Sequence, residues 1–247
     1  MFKKIIFLSF LLTGIIASAQ TYQVFKGDTI NRRDKKNLPQ GVWKKYYPTD
    51  TLFSECVFNN GKRVGVCRTY YKSGKPQSVL TYRGLTDACD AKIFFEDGKL
   101  KAKGKYIDKE KDSIWTYYDN FGTMIATEYY SKGKKEGSWK VYYPKGSLSQ
   151  ETNYRHDVKE GPYKEFFENG NRKLEAYMVK GHYEGQVILF HPNGNVREKG
   201  NYKNGLREGT WHIFKEDGTP DHDEEFKNGV NLNPSQEKEE RLPEPEK

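Results

Sequence analysis

At 247 residues the chain has room for one or two domains, but only 35% of them are hydrophobic while 15% are aromatic. Any core must therefore be built from Tyr, Phe and Trp rings rather than from aliphatic layers. The net charge of +8 comes from 42 basic and 34 acidic residues, interleaved along the chain with no block of cations, so the default reading is a solvated charged face rather than a nucleic-acid-binding tract.

The first residues read as a targeting segment. Lys3 and Lys4 form a positive start, Ile5 to Ile16 an apolar run, and Ala17-Ser18-Ala19 a small-residue cleavage site. That run is far shorter than the ~20 residues a spanning helix needs, and no later stretch could span a bilayer. Residues 1–19 are thus expected to be a cleaved signal peptide, with cleavage near Ala19 and the mature chain in the periplasm or secreted. No cysteine follows the apolar run, so no lipid anchor is expected. Residues 20–40 resemble a degenerate extra unit of the repeat that begins at Gly41, and are expected to cap its open end.

From Gly41 a unit restarts every 24 residues, at Gly41, Gly65, Cys89, Ser113, Gly137, Gly161, Gly185 and Gly209. Positions within a unit are counted as residues after its start. Position five is always aromatic: Tyr46, Tyr70, Phe94, Tyr118, Tyr142, Phe166, Phe190 and Phe214. Position nine is glycine in every unit but the first, which has Asp50, and all four tryptophans (Trp43, Trp115, Trp139, Trp211) fall at position two. A fixed period marks a repeat architecture in which each unit needs its neighbours to bury a face. The eight units occupy 41–232; the Pro/Glu/Lys-rich residues 233–247 read as a disordered tail.

Each unit carries two turn signals. One is at positions eight and nine (Asp97-Gly98, Asn169-Gly170, Asn193-Gly194, Asp217-Gly218), the other at nineteen and twenty (Asn60-Gly61, Asn204-Gly205, Asn228-Gly229). Asn-Gly and Asp-Gly suit two-residue type I′ hairpin loops. The expected fold is all-β: an elongated single antiparallel meander of hairpins, roughly sixteen strands ~4.8 Å apart and so ~75 Å long before twist. With two-residue loops throughout, a unit start faces position seventeen of its own unit and position fifteen of the unit before. Alternation then gathers positions two, six, eleven and seventeen on an aromatic face, with Trp43, Trp115, Trp139 and Trp211 beside Tyr82, Tyr106, Tyr154 and Tyr202. The position-five ladder falls on the other face among Lys44, Arg68, Lys92, Lys140 and Lys164. It is the candidate binding ladder.

The phrase G-x-W-x-x-Y-Y-x-x-G-x-L followed by Y-x-x-G-K, carried best by Gly137, Trp139, Tyr142, Tyr143, Gly146 and Leu148, resembles the MORN-repeat variant of bacterial proteins, a group often labelled YwqK-family antitoxins. The resemblance covers Gly41 to Gly229 and departs most in the third unit, with Cys89 at the start and Ala91 at the tryptophan position. It implies an elongated sheet of hairpins and a protein-interaction or membrane-association role. An antitoxin role would require an exported toxin.

Nothing points to catalysis. His156, His182, His191, His212 and His222 fall at unrelated positions without metal-ligand spacing, so no metal, cofactor or catalytic residue is expected. In the derived register Cys56 faces Gly65 and lies diagonal to Cys67, a poor geometry for a bridge. Small buried side chains are the favoured reading of Cys56, Cys67 and Cys89; a one-step shift at the Asn60-Gly61 turn would instead permit a Cys56–Cys67 bridge. The favoured function is a non-catalytic scaffold docking an unidentified envelope protein. Against it stand two alternatives: the ladder binding cell-wall glycan, on a likeness to aromatic choline- and glucan-binding repeats, and peripheral attachment to anionic lipid. Nucleic acid is not expected of an exported chain.

Overall fold

The computed structural model describes residues 20–234. The expected signal peptide (1–19) and all but the start of the expected tail (233–247) lie outside these residues. Among the described residues there is no helix; twenty-one strand segments form one sheet in which successive strands pair antiparallel, from Thr21–Phe25 to Val230–Asn231. This is the all-β meander of hairpin repeats read from the sequence. The excess over sixteen strands has three sources. Thr21–Phe25 and Asp28–Arg33 precede the first unit, Val230–Asn231 adds a third strand at the end of the last, and two strands are split, Lys134–Lys135 from Gly137–Tyr142 and His182–Tyr183 from Gly185–Phe190.

The two turn signals of a unit give different turns, which corrects the expectation of two-residue loops throughout. At Asn60-Gly61 both residues have positive φ, 47° and 79°, and Asn59 pairs with Lys62: a type I′ hairpin. At the other turn only the residue at position nine is left-handed, glycine in seven units and Asp50 at φ 60° in the first. There Gly74 N–H donates to Tyr71 O and Tyr71 N–H to Lys75 O, so the loop is longer. The Asp or Asn at position eight serves as an acceptor instead: Asp97, Asn169, Asn193 and Asp217 each take the N–H two residues on through Oδ1.

At the longer turn the ladder also slips by one residue, between Lys45 and Tyr46 in the first unit. Leu52, at position eleven, therefore pairs with Tyr46, as Leu100 does with Phe94. Position eleven thus sits against the position-five rings, not on the tryptophan face where it was expected, and position twelve takes its place there.

A second slip occurs where units meet. Glu55 pairs with Arg68 but Val57 with Val64, so Cys56 faces three residues. Gly65, at φ +63°, makes this bulge possible. It moves Cys67 directly across from Cys56, their Cα atoms 4.2 Å apart, and the two form a disulfide. The favoured reading of both as free side chains is thereby corrected, and the alternative, a bridge permitted by a register shift, holds: the favoured reading assumed that the glycine was an ordinary ladder residue. Cys89 is free and buried. We expect that replacing Cys56 and Cys67 together by serine lowers unfolding free energy by about 2–3 kcal/mol. A reductant should bring the wild-type melting curve onto that of the variant and leave the variant's own curve in place.

Between the second and third units the chain departs from this plan. The loop from Arg83 to Ala88 replaces the tight turn, and the pairing of Pro76–Tyr82 with Cys89–Phe94 runs without a slip. In the last four units a carboxylate just before the unit start holds the tight turn of its own unit, as the Gln40 amide oxygen does in the first. Glu136, Glu160, Glu184 and Glu208 accept the N–H of His156, Lys180, Asn204 and Asn228 at 2.8–2.9 Å.

A groove over the first three units

Positions two and fifteen form one cross-strand row along the whole sheet, and its residue sizes decide where the aromatic face is filled. Trp43 pairs with Cys56, Cys67 with Leu80, Leu80 with Ala91, Ala91 with Gly104, and Trp115 with Glu128. Each ring leans over position fifteen of the unit before it. A Cβ built on Gly104 would come within 2.3 Å of the Trp115 ring, and one on Gly200 within 2.3 Å of the Trp211 ring. At these two places a glycine makes room for an indole that lies flat on the backbone.

The closed part is a dry aromatic layer on a single sheet. Trp115 and Trp211 are both 0% exposed. Tyr163, Tyr183, Tyr202, Trp211 and Phe226 follow one another edge to face, with ring centres 5.3–6.1 Å apart. Cations from position twenty-two roof the indoles. Lys111 lies 5.0 Å from the Trp115 ring, Lys135 4.5 Å from Trp139 and Arg207 4.1 Å from Trp211. Burial pulls the Lys111 ammonium below the usual lysine range. Arg207 also pairs with Glu198 at 2.9 Å. These roofing cations were missed in the sequence; the signal was there, a Lys or Arg four residues before each of Trp115, Trp139 and Trp211.

Between Trp43 and Trp115 the row holds no ring. Cys56, Cys67, Leu80, Ala91 and Gly104 leave an open groove of about 810 Å³ whose lining runs from Pro39 to Lys109. Phe58, Tyr82 and Tyr106 stand along one side, and Ser54, Thr69, Ser78 and Ile93 along the other. Thr69 and Ser78 share a 2.7 Å hydrogen bond. Burial pushes the phenols of Tyr82 and Tyr106 up, and the Cys89 thiol with them. A protonated buried thiol is no nucleophile. The structure offers no metal cluster among the described residues.

Of the residues singled out in the sequence, Trp43, Tyr82 and Tyr106 line the groove. Trp115, Trp211 and Tyr202 are buried in the closed layer, and Trp139 packs on Tyr154 at 4.8 Å. The position-five residues Tyr46, Tyr70, Phe94, Tyr118, Tyr142, Phe166, Phe190 and Phe214 are all half-buried. Lys103 lies over Tyr118 and Lys199 over Phe214. Their backbone is tied as well: Tyr47, Tyr71 and Tyr143 donate their hydroxyls to the carbonyls of Tyr70, Phe94 and Phe166 at 2.7–2.8 Å. The ladder thus joins units to one another. Its first ring, Tyr46, lines a shallow cavity beside Phe25 and Ile30, but the ladder as a whole does not converge on one.

Among solved structures, the chain is similar to a crystal structure of TarM, at 11% identity and a TM-score of 0.28, over 36% of this chain and 18% of that one. It is also similar to the TcdB2-TccC3-Cdc42 crystal structure, at 12% identity and a TM-score of 0.23, over 78% of this chain and 12% of that one. The chain spans less than a fifth of either, and at these scores neither likeness bears on function. No curated protein matches the chain. The family model described as the MORN repeat variant matches residues 39–60, 63–83, 90–108, 135–156, 159–180 and 183–204, more than half of the length. With its 24-residue hairpins, the chain belongs to the MORN repeat variant family.

Proposed function

We propose that the protein is an exported, non-catalytic scaffold that holds another protein at the bacterial cell envelope, and that the partner docks in the groove over the first three units. One observation carries the reading. The aromatic face is covered from Trp115 onward, fully at Trp115, Val187 and Trp211 and partly at Trp139, with cations roofing the three indoles, yet it is open where Cys67 and Ala91 stand at the tryptophan position. An open apolar trough on an otherwise filled surface is a place for a partner. The Cys56–Cys67 bridge suits an oxidising compartment, which supports export alongside the Lys3-to-Ala19 segment.

The structure supplies its own control. Replacing Leu80 by glycine and Ala91 by tryptophan together puts the residue pair of Gly104 and Trp115 on the groove floor, here across a ladder that has no slip. In a pull-down from solubilised envelope, the wild type should retain a discrete protein that the L80G/A91W variant does not. The variant's melting temperature should equal or exceed that of the wild type, because it fills a void. Equal retention by both would place docking elsewhere, and retention of lipid or glycan alone would reject a protein partner.

A further inference from the structure

We infer that the segment held in this groove is an extended, acidic stretch of polypeptide whose carboxylates flank apolar side chains; the inference rests on the groove being the docking site. The lining crosses six strands, from Pro39–Tyr46 to Leu100–Ile107. At ~4.8 Å per strand it is ~24 Å long, the span of about seven extended residues. The disulfide, Leu80 and Ile93 in its lining suit apolar side chains. The hydroxyl row of Ser54, Thr69 and Ser78 offers hydrogen bonds that a peptide backbone uses and an acyl chain wastes.

Charge at the margin decides the sign. Arg63 and Lys109 come from the tight-turn end of their units, Lys45 and Lys101 from the strand ends next to the longer turn, against one acid, Asp87. All five are exposed. None of the four cations enters an ion pair among the described residues, and neither do the roofing Lys111 and Lys135, but those two lie over indoles, while Arg207 is bound to Glu198 at 2.9 Å and Lys173 to Glu165 at 3.1 Å. Arg63 and Asp87 also occupy position twenty-two, the roofing position, where Cys67 and Ala91 give them no indole to cover; Arg63 reaches the Phe58 ring at the groove's side, 5.7 Å from its centre. The open groove thus keeps uncompensated positive charge around an apolar floor. That arrangement attracts a chain of opposite sign and rejects a basic one.

The test uses fluorescence polarisation with labelled peptides of about eight residues, alternating Glu-Leu, Lys-Leu or Glu-Ser, against the purified protein. Glu-Leu should bind at least about tenfold more tightly than either of the others, and less tightly as salt rises. The exposed triple change Lys45→Glu, Lys101→Glu, Lys109→Glu should reverse the preference between Glu-Leu and Lys-Leu at an unchanged melting temperature. Equal or better binding of Lys-Leu by the wild type would overturn the acidic assignment. So would Glu-Ser binding as well as Glu-Leu, binding of none of the three, or binding only to phosphatidylglycerol vesicles. Undiminished binding of Glu-Leu by L80G/A91W would overturn the groove reading itself, so the two failures are told apart.

Discussion

Changing Gly200 to alanine is expected to cost about 3 kcal/mol of stability, the upper part of the range for forcing atoms into a packed core. The added Cβ would stand 2.3 Å from the indole of Trp211, and the same holds for Gly104 under Trp115. Neither glycine has the left-handed φ that would strain alanine, unlike the turn glycines such as Gly98 at +93°, so the cost measures contact alone. A double-mutant cycle isolates it. Trp211→Ala by itself should cost about 3–5 kcal/mol. Combined with Gly200→Ala it should cost clearly less than the sum, because the methyl then has no ring to strike. Chemical denaturation read by circular dichroism would decide; additive losses would mean that the ring does not lie on that backbone.

The second large effect separates two tryptophans that hold the same place in the repeat. Trp115 is fully buried, donates its Nε1–H to Lys105 O at 3.1 Å and carries Lys111 on its face. Trp139 makes the matching bond to Tyr129 O at 2.9 Å but is only half-buried. Trp115→Ala should therefore cost about 3–5 kcal/mol and Trp139→Ala about half as much. The reason lies in the row beneath them: Gly104 lets one ring lie flat and deep, while the Trp139 ring meets a row with Glu128 and Thr152. Equal losses in thermal or chemical unfolding would show that the bed beneath a ring does not set its contribution.

The period, the hairpins and the gathering of Trp43, Tyr82, Tyr106 and their counterparts on one face were legible because they depend on spacing alone. The Asn60-Gly61 turn was legible because few residues accept two consecutive positive φ values. What escaped was register. Nothing in the letter G distinguishes a ladder glycine such as Gly200 from a bulge glycine such as Gly65, and that difference alone decides whether Cys56 meets Cys67. The slip after Lys45, which sends Leu52 to the far side, depends on a loop longer than the two-residue turn its Gly-ended signal suggests. The groove was half visible. Ala91 stood out as a missing tryptophan, but an absence becomes a space only once Gly104, Leu80 and Cys67 are known to share its row.

Each indole leans on the unit before its own, and this sets where the array can be cut and spliced. Gly104 and Trp115 lie on the two arms of the hairpin that closes at Asp108-Lys109, and Gly200 and Trp211 on the arms of the one that closes at Asn204-Gly205. Gene duplication or recombination that breaks the chain at a unit-start residue such as Ser113 would part each ring from its bed. A break in the longer turns, at Gly98 and Gly122 or at Gly194 and Gly218, carries ring and glycine together. The module that can be copied, moved or lost without repacking is therefore the stretch between two such turns, half a period out of step with the repeat the eye first picks out.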